Sequence, residues 1–292
     1  MILSSLSKRC GICQAKHNTL YYHRNKQGVA WLFCNKCGTG MDLDIYCDML
    51  GIEIPSEEML AKICHDDPSD QELIKMNWPK NFIPLWNKDA KEGIKYLESR
   101  KIKPTDGIFY DEDTNGIVFP YYYDSYCVGA QIRFIEPKVK DEVKFKISTV
   151  PGTKLGKLFY GWNQLSLNPN IKYIIVTEGA FNSLALQQTL NSKYKSILSN
   201  PYKTIAVSGS SIGNHRAELL REKISEGYKV ILSADLDAAG MKMMSKCCEE
   251  ACITHYTFPE NSGDKWNDWN DVLIQGGEDK VLELFTKNLK KA

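Results

Sequence analysis

What the chain lacks narrows it first. No apolar run among its 292 residues approaches the ~20 needed to span a bilayer, so no membrane partner is expected. It has no surplus of one charge either. Its 37 basic and 36 acidic residues nearly cancel, and a polyanionic partner has to be met by local patches. Internal repeats and low-complexity tracts are absent. The opening "MILSSLSKRCGIC" has too short an apolar part, and reaches cysteines too soon, to be expected as a secretory signal. The ten cysteines are therefore expected as reduced thiols or metal ligands and not as a disulfide framework. A cytoplasmic-type protein is expected from these absences, and 292 residues are enough for two or three compact units.

What is present falls into four parts. Residues 1–64 combine short alternating segments ("TLYYHR", "VAWLFC") with a helical stretch in which Gly51 and Pro55 separate two helices. Residues 65–80 read as a polar linker. Residues 81–165 are mixed: "DAKEGIKYLESRKI" is helix-like, whereas "GIVFPYYYD", "YCVGAQIRFI" and "VKFKIST" are strand-like. Residues 166–292 alternate strands with helices, which argues for a largely parallel sheet covered by helices. The expected class is thus α+β and multidomain: a small β unit, a mixed α+β subdomain and an α/β subdomain.

Cys10-x-x-Cys13 and Cys34-x-x-Cys37 suit a zinc ribbon. Each pair presents two sulfurs on a tight turn, and two turns complete a tetrahedral centre. With all four positions filled by thiolates, one structural Zn²⁺ is expected and no open catalytic position. His17 and His23 are substitute ligands in principle, although histidines in such a region are more often merely exposed. Tyr21, Tyr22, Arg24, Lys26 and Trp31 suit stacking and phosphate contact with a single strand, or simply the ribbon's own small core.

The stretch "VILSADLDAAGMKM" ends an apolar run with Asp235 and Asp237, at the carboxyl end of an expected strand, where open α/β sheets place ligands. A lone Asp-x-Asp is more often a solvated turn or a helix cap. Two further stretches change its weight. "YIIVTEGAFNSLAL" puts Glu178 and Gly179 after another apolar strand, and "DKWNDWNDVL" adds Asp264, Asp268 and Asp271. Carboxylates gathered from neighbouring strand ends repel unless hard cations lie between them. Mg²⁺ or Mn²⁺, with oxygen ligands and retained waters, is the expected occupant.

On these stretches the sequence resembles the Toprim-containing, bacterial-type (DnaG-type) DNA primases, closest to the compact bacteriophage versions. "TEGAFNSLAL", "SADLDAAG" and "KWNDWNDVL" resemble the three acidic motifs, and "VSGSSIG" occupies the place of a small-residue loop. "GIVFPYYYDSYCVGAQIRF" and "VKFKISTVPGTKLGKLFYGWN" resemble upstream segments. The resemblance implies template-directed RNA primer synthesis on single-stranded DNA from ribonucleoside triphosphates, in an infected bacterial cell if phage-encoded. It implies catalytic Glu178, Asp235, Asp237 and Asp268, the first three holding the catalytic ions, and a separate replicative helicase as partner. Arg133, Lys144 and Lys146 become template or nucleotide contacts. Asn182, also expected among the template or nucleotide contacts, stands where the family commonly has aspartate; its amide oxygen can still ligate a metal or hold a water but supplies no negative charge.

Lys138, Lys140, Lys144, Lys146, Lys154 and Lys157 form a basic segment suited to phosphates, or an ordinary solvated hairpin. "GTKLGK" is one residue short of a phosphate-binding P-loop and lacks its Ser or Thr. Cys247, Cys248 and Cys252 lack a matching pair and are expected as plain helix cysteines. Two rival functions stay open: a Toprim-type metal nuclease, and a non-catalytic zinc-ribbon protein that binds DNA or a replication partner.

Overall fold

In the computed structural model the described residues are 20–24, 30–34, 40–50, 53–54, 65–66, 73–105, 107–123, 125–140, 143–209, 212–235, 237–260 and 266–291. They belong to two compact units, Met1–Glu72 and Leu73–Ala292. Cys10, Cys13, Cys37, Asp264 and the helical break at Gly51 and Pro55 lie outside the described residues.

The first unit holds a four-stranded sheet in the order β3-β2-β1-β4. Its strands are β1 (Leu20–Arg24), β2 (Ala30–Cys34), β3 (Gly40–Asp42) and β4 (His65–Asp66). Strands β1, β2 and β3 pair antiparallel, with Leu20 opposite Cys34. Cys34 is the last residue of β2. Helix α1 (Leu43–Leu50) follows directly and buries Leu43 and Cys47.

The second unit is built on two five-stranded sheets. The antiparallel one runs in chain order: β5 (Phe82–Pro84), β6 (Phe109–Asp111), β7 (Gly116–Tyr123), β8 (Tyr126–Lys140) and β9 (Val143–Thr149). Helix α2 (Lys91–Ser99) lies between β5 and β6 in sequence. Residues from Leu73 onward, expected as linker, belong to this unit: Met76 donates its N–H to the Cys127 carbonyl at 2.8 Å, and Trp78 packs edge-on against Phe82 and Phe109. The polar composition of 65–80 conceals these two apolar anchors.

The other sheet has the order β11-β10-β12-β13-β14. Strands β10 (Tyr173–Thr177), β11 (Tyr202–Ala206), β12 (Lys229–Ser233) and β13 (His255–Thr257) are parallel, and β14 (Lys290–Lys291) adds antiparallel to β13. The intervening helices are α3 (Ala180–Tyr194), α4 (Asn214–Ser225), α5 (Ala238–Ala251) and α6 (Trp269–Asn288). Side chains alternate across a strand, so β10 serves two cores. Ile175 joins Leu186, Leu190, Trp269 and Leu284 beneath α3 and α6, together with Leu97, Ile117 and Phe119 from the antiparallel half. Ile174 and Val176 join Leu220, Leu232, Met243 and Cys247 beneath α4 and α5. All three β10 residues are 0% exposed, which explains the unbroken apolar run: a parallel strand is covered on both faces. Burial of each such side chain contributes about 1.5–3 kcal/mol.

Register places the functional loops. Thr177 of β10 is opposite Ser233 of β12 and Ala206 of β11. Glu178, Val207–Gly209 and Ala234–Asp235 therefore emerge side by side at one edge of the sheet, the carboxyl ends of its strands. Among the described residues no helix is long and apolar enough to cross a membrane.

Candidate metal centre

The expected carboxylates converge at this edge, and each has one oxygen held by a backbone or amide donor. Glu178 follows β10, and its Oε1 accepts the Asp235 N–H at 3.1 Å. Asp235 follows β12, and its Oδ1 accepts from Asn182 Nδ2 at 2.8 Å. Asp237 is the N-cap of α5, with Oδ1 accepting the Gly240 N–H at 2.8 Å. Asp268 is the N-cap of α6, with Oδ1 accepting the Asp271 N–H at 2.8 Å. The cap reading of an Asp-x-Asp therefore holds for Asp237.

The carboxyls also act on one another electrostatically. Burial raises the Asp235 carboxyl to about 8, with the negative charges of Glu178, Asp268, Asp237 and Asp271 adding to the rise. Glu178 is raised above its ordinary range by burial and then by Asp237 and Asp268, against the hydrogen bond from Asp235. Asp268 is raised by burial, partly offset by its cap hydrogen bond and by Arg100. Such a group of carboxyls is costly unless protons or cations neutralise it.

Gly240 is fixed by the same crowding. A Cβ there would collide with the Asp235 carbonyl oxygen and with Glu178 Oε1, so only glycine lets α5 begin this near the cluster. The neighbouring turn is pinned as well. Val207 and Ser208 donate backbone N–H groups to the Thr177 and Glu178 carbonyls at 2.9 and 2.7 Å. Buried Arg216 donates to the Val207 carbonyl at 2.6 Å and to Leu158 at 2.8 Å. Gln131, from β8, donates to the Ser208 carbonyl at 3.2 Å and accepts from Tyr121 Oη at 3.1 Å. Ser208 itself sits at φ 56°, an uncommon conformation for a residue with a side chain.

Asn182 lies beside Asp235, behind the acidic residues. It is buried at 4% exposure, and its oxygen is occupied by the Asn270 N–H at 3.2 Å. A backbone N–H only donates, so the amide nitrogen is what faces Asp235. Asn182 thus donates to Asp235 through Nδ2 while its oxygen accepts from Asn270. The other expected contacts lie on the antiparallel sheet. Arg133 of β8 is opposite Ile147 of β9, and Lys144 is opposite Val139. Lys144 and Lys146 are exposed, whereas the Arg133 Nε is buried without a hydrogen-bond partner. None of the three contacts the carboxylates among the described residues. "GTKLGK" leads into a 3₁₀ turn, Leu155–Lys157, and not into the α-helix of a P-loop. Residues not anticipated are Arg100, Gln131, Arg216 and Asn270. Only Asn270 carried a signal, lying two residues after Asp268.

Among the described residues no three His, Cys, Asp or Glu side chains meet as a ready-made ligand cluster. Each carboxylate is tethered through one oxygen. The donor set itself is all oxygen and anionic, which fits a hard divalent cation.

A family model described as Toprim-like matches residues 175–273. Among solved structures the chain is similar to a DnaG catalytic core, at 16% identity over 71% of this chain and 76% of that one, with a TM-score of 0.49. It is similar to the primase fragment of the bacteriophage T7 primase-helicase protein, at 16% identity over 95% and 97% of the two chains, with a TM-score of 0.42. It is also similar to the zinc-binding and RNA polymerase domains of Aquifex aeolicus primase, at 17% identity over 95% and 80%, with a TM-score of 0.44. No curated protein matches the sequence significantly. The segment that matches the Toprim-like model, 175–273, contains Glu178, Asp235 and Asp237, just beyond the carboxyl ends of β10 and β12, and Asp268 at the start of α6.

Proposed function

We propose that this chain is a DNA primase, making short RNA primers from ribonucleoside triphosphates on a single-stranded DNA template. The observation that carries the reading is the convergence of four carboxylates from three strand-to-helix junctions, inside the Toprim-like segment. The free oxygens of Glu178, Asp235 and Asp237 would hold Mg²⁺ or Mn²⁺, with Asp268 completing the charge. Bound divalent cations supply alignment of the triphosphate and a lowered pKa for the attacking 3′-hydroxyl.

The chain's own contribution is positioning. Glu178 fixes the Asp235 backbone, the caps of α5 and α6 fix Asp237 and Asp268, and Arg216 with Gln131 fixes the turn beside Glu178. Preset geometry of this kind lowers a barrier without a covalent intermediate. Arg133, Lys144 and Lys146 would neutralise template or triphosphate phosphates. The unpartnered Arg133 Nε suits an anionic ligand, because a buried donor left unsatisfied is costly. Cys10, Cys13, Cys34 and Cys37 would hold one zinc ion, giving the first unit a rigid face for template bases. A separate replicative helicase is the natural partner of such an enzyme.

The test is a primer-synthesis assay with labelled ribonucleotides across a panel of short single-stranded templates. Magnesium-dependent, template-dependent RNA products that disappear in Asp235→Asn support the reading. DNA cleavage with magnesium and no nucleotides would replace it with a nuclease. Activity indifferent to carboxylate substitution would leave only a binding protein.

A further inference from the structure

Both ends of the Asn182 amide are engaged: Nδ2 donates to Asp235 Oδ1 at 2.8 Å, and Oδ1 accepts the Asn270 N–H at 3.2 Å. Asn270 is fully buried and is locked in turn. Its Nδ2 donates to the Arg100 carbonyl and its Oδ1 accepts from Arg100 Nη1, both at 3.0 Å. The Arg100 guanidinium lies 5.4 and 5.2 Å from the ring centres of Tyr96 and Phe181. Guanidinium and backbone N–H groups only donate, and a carbonyl only accepts. The orientation of both amides is therefore dictated from outside. Arg100 holds the Asn270 side chain, the Asn270 backbone N–H meets the Asn182 oxygen, and the Asn182 amide therefore presents an N–H to Asp235, never a lone pair.

We propose that Asn182 is a positioning residue for the divalent-cation site. It holds Oδ1 of Asp235 with a fixed donor, leaves the second oxygen for the cation, and adds no charge of its own to the cluster. The inference rests on the reading of that cluster as a cation site. Two substitutions separate this role from mere space filling. Asn182→Ala frees Asp235 and strands a buried Asn270 N–H. Asn182→Asp keeps the shape and the acceptor for Asn270, but turns a second carboxylate oxygen toward Asp235, and such oxygens repel unless a cation lies between them.

The experiment titrates magnesium chloride into the full chain by calorimetry, and measures melting temperature with and without magnesium. It compares the wild type with Asn182→Ala, Asn182→Asp and Asp235→Asn. Asn182→Ala is expected to bind magnesium about tenfold more weakly or worse, as when a group that orients a metal ligand is lost. Asn182→Asp is expected to melt below the wild type without magnesium and to gain more from it. It is isosteric, so it remains readable should the alanine variant fail to fold. Unchanged magnesium affinity in Asn182→Ala, or an unchanged magnesium-induced shift in Asn182→Asp, overturns the role. Binding lost in Asp235→Asn but untouched in Asn182→Ala overturns this inference alone. No binding by the wild type overturns the cation reading and this inference with it.

Discussion

The two sheets of the second unit use the same chain chemistry to opposite ends. In the parallel sheet every buried strand points the same way, so the residues that follow β10, β11 and β12 gather at one edge. Charge is concentrated there, and four carboxylates crowd together at a cost that the apolar layers beneath must support. In the antiparallel sheet, consecutive strands reverse, and charge is spread along the length. β8 is buried from Val128 to Ile132 and exposed from Glu136 to Val139, and β9 carries Lys144 and Lys146 into solvent. Parallel topology builds a focused anionic point, whereas the exposed lengths of β8 and β9 build a diffuse basic surface.

If that contrast holds, single substitutions should have sharply different effects in the two places. The largest is expected at the focus. Asp235→Asn or Glu178→Gln should reduce primer synthesis about a hundredfold or more, since loss of a metal ligand removes several kcal/mol of charge stabilisation. Circular dichroism should be unchanged, and retained synthesis would remove the assignment. Gly240→Ala should follow, because the added Cβ strikes Asp235 and Glu178. Overpacking of this kind costs about 1–3 kcal/mol, read as a lower melting temperature together with lost synthesis.

Next comes pH. The Asp235 carboxyl titrates at about 8 in the fold against 3.8 when free, so the fold prefers it protonated. Its stabilisation is complete below the free value and is lost as pH rises through about 8; the raised Glu178 and Asp268 act in the same direction. The metal-free chain should therefore melt progressively lower as pH is raised across that window, and magnesium should oppose the fall. A melting temperature that rises with pH in the absence of metal would contradict the buried cluster. The smallest effect belongs to the diffuse surface. Lys144→Ala or Lys146→Ala should weaken single-strand binding modestly and lower the slope of log affinity against log salt by about 0.7 for each phosphate no longer neutralised. An unchanged slope would make these lysines solvated bystanders.

Legibility in the sequence followed the same divide. Ile174–Val176 and Val230–Leu232 announce themselves as continuous apolar runs, and the acidic residues directly after them need only one-dimensional position to be noticed. The long strands β7, β8 and β9 were readable from composition. The three-residue strands β5 and β6 are too short to show a period, and they form through pairing with β7 and each other. The relay behind Asp235 was illegible for a different reason. It joins Asn182 to Asn270 across 88 residues and Asn270 to Arg100 across 170, and no local pattern encodes such a meeting. Asn182 could be seen as a neutral residue in an acidic motif, but the end of its amide that meets Asp235 is set by the Asn270 N–H, which only the fold supplies.

Asp237 and Asp268 each open a helix while standing in the acidic group. Asparagine starts helices about as well as aspartate, whereas alanine does so poorly. Exchanging either aspartate for asparagine thus erases charge and spares architecture, while exchanging it for alanine damages both. The chain has in this way tied its electrostatic character to its own scaffolding, and drift toward small apolar residues at these two places would be punished twice.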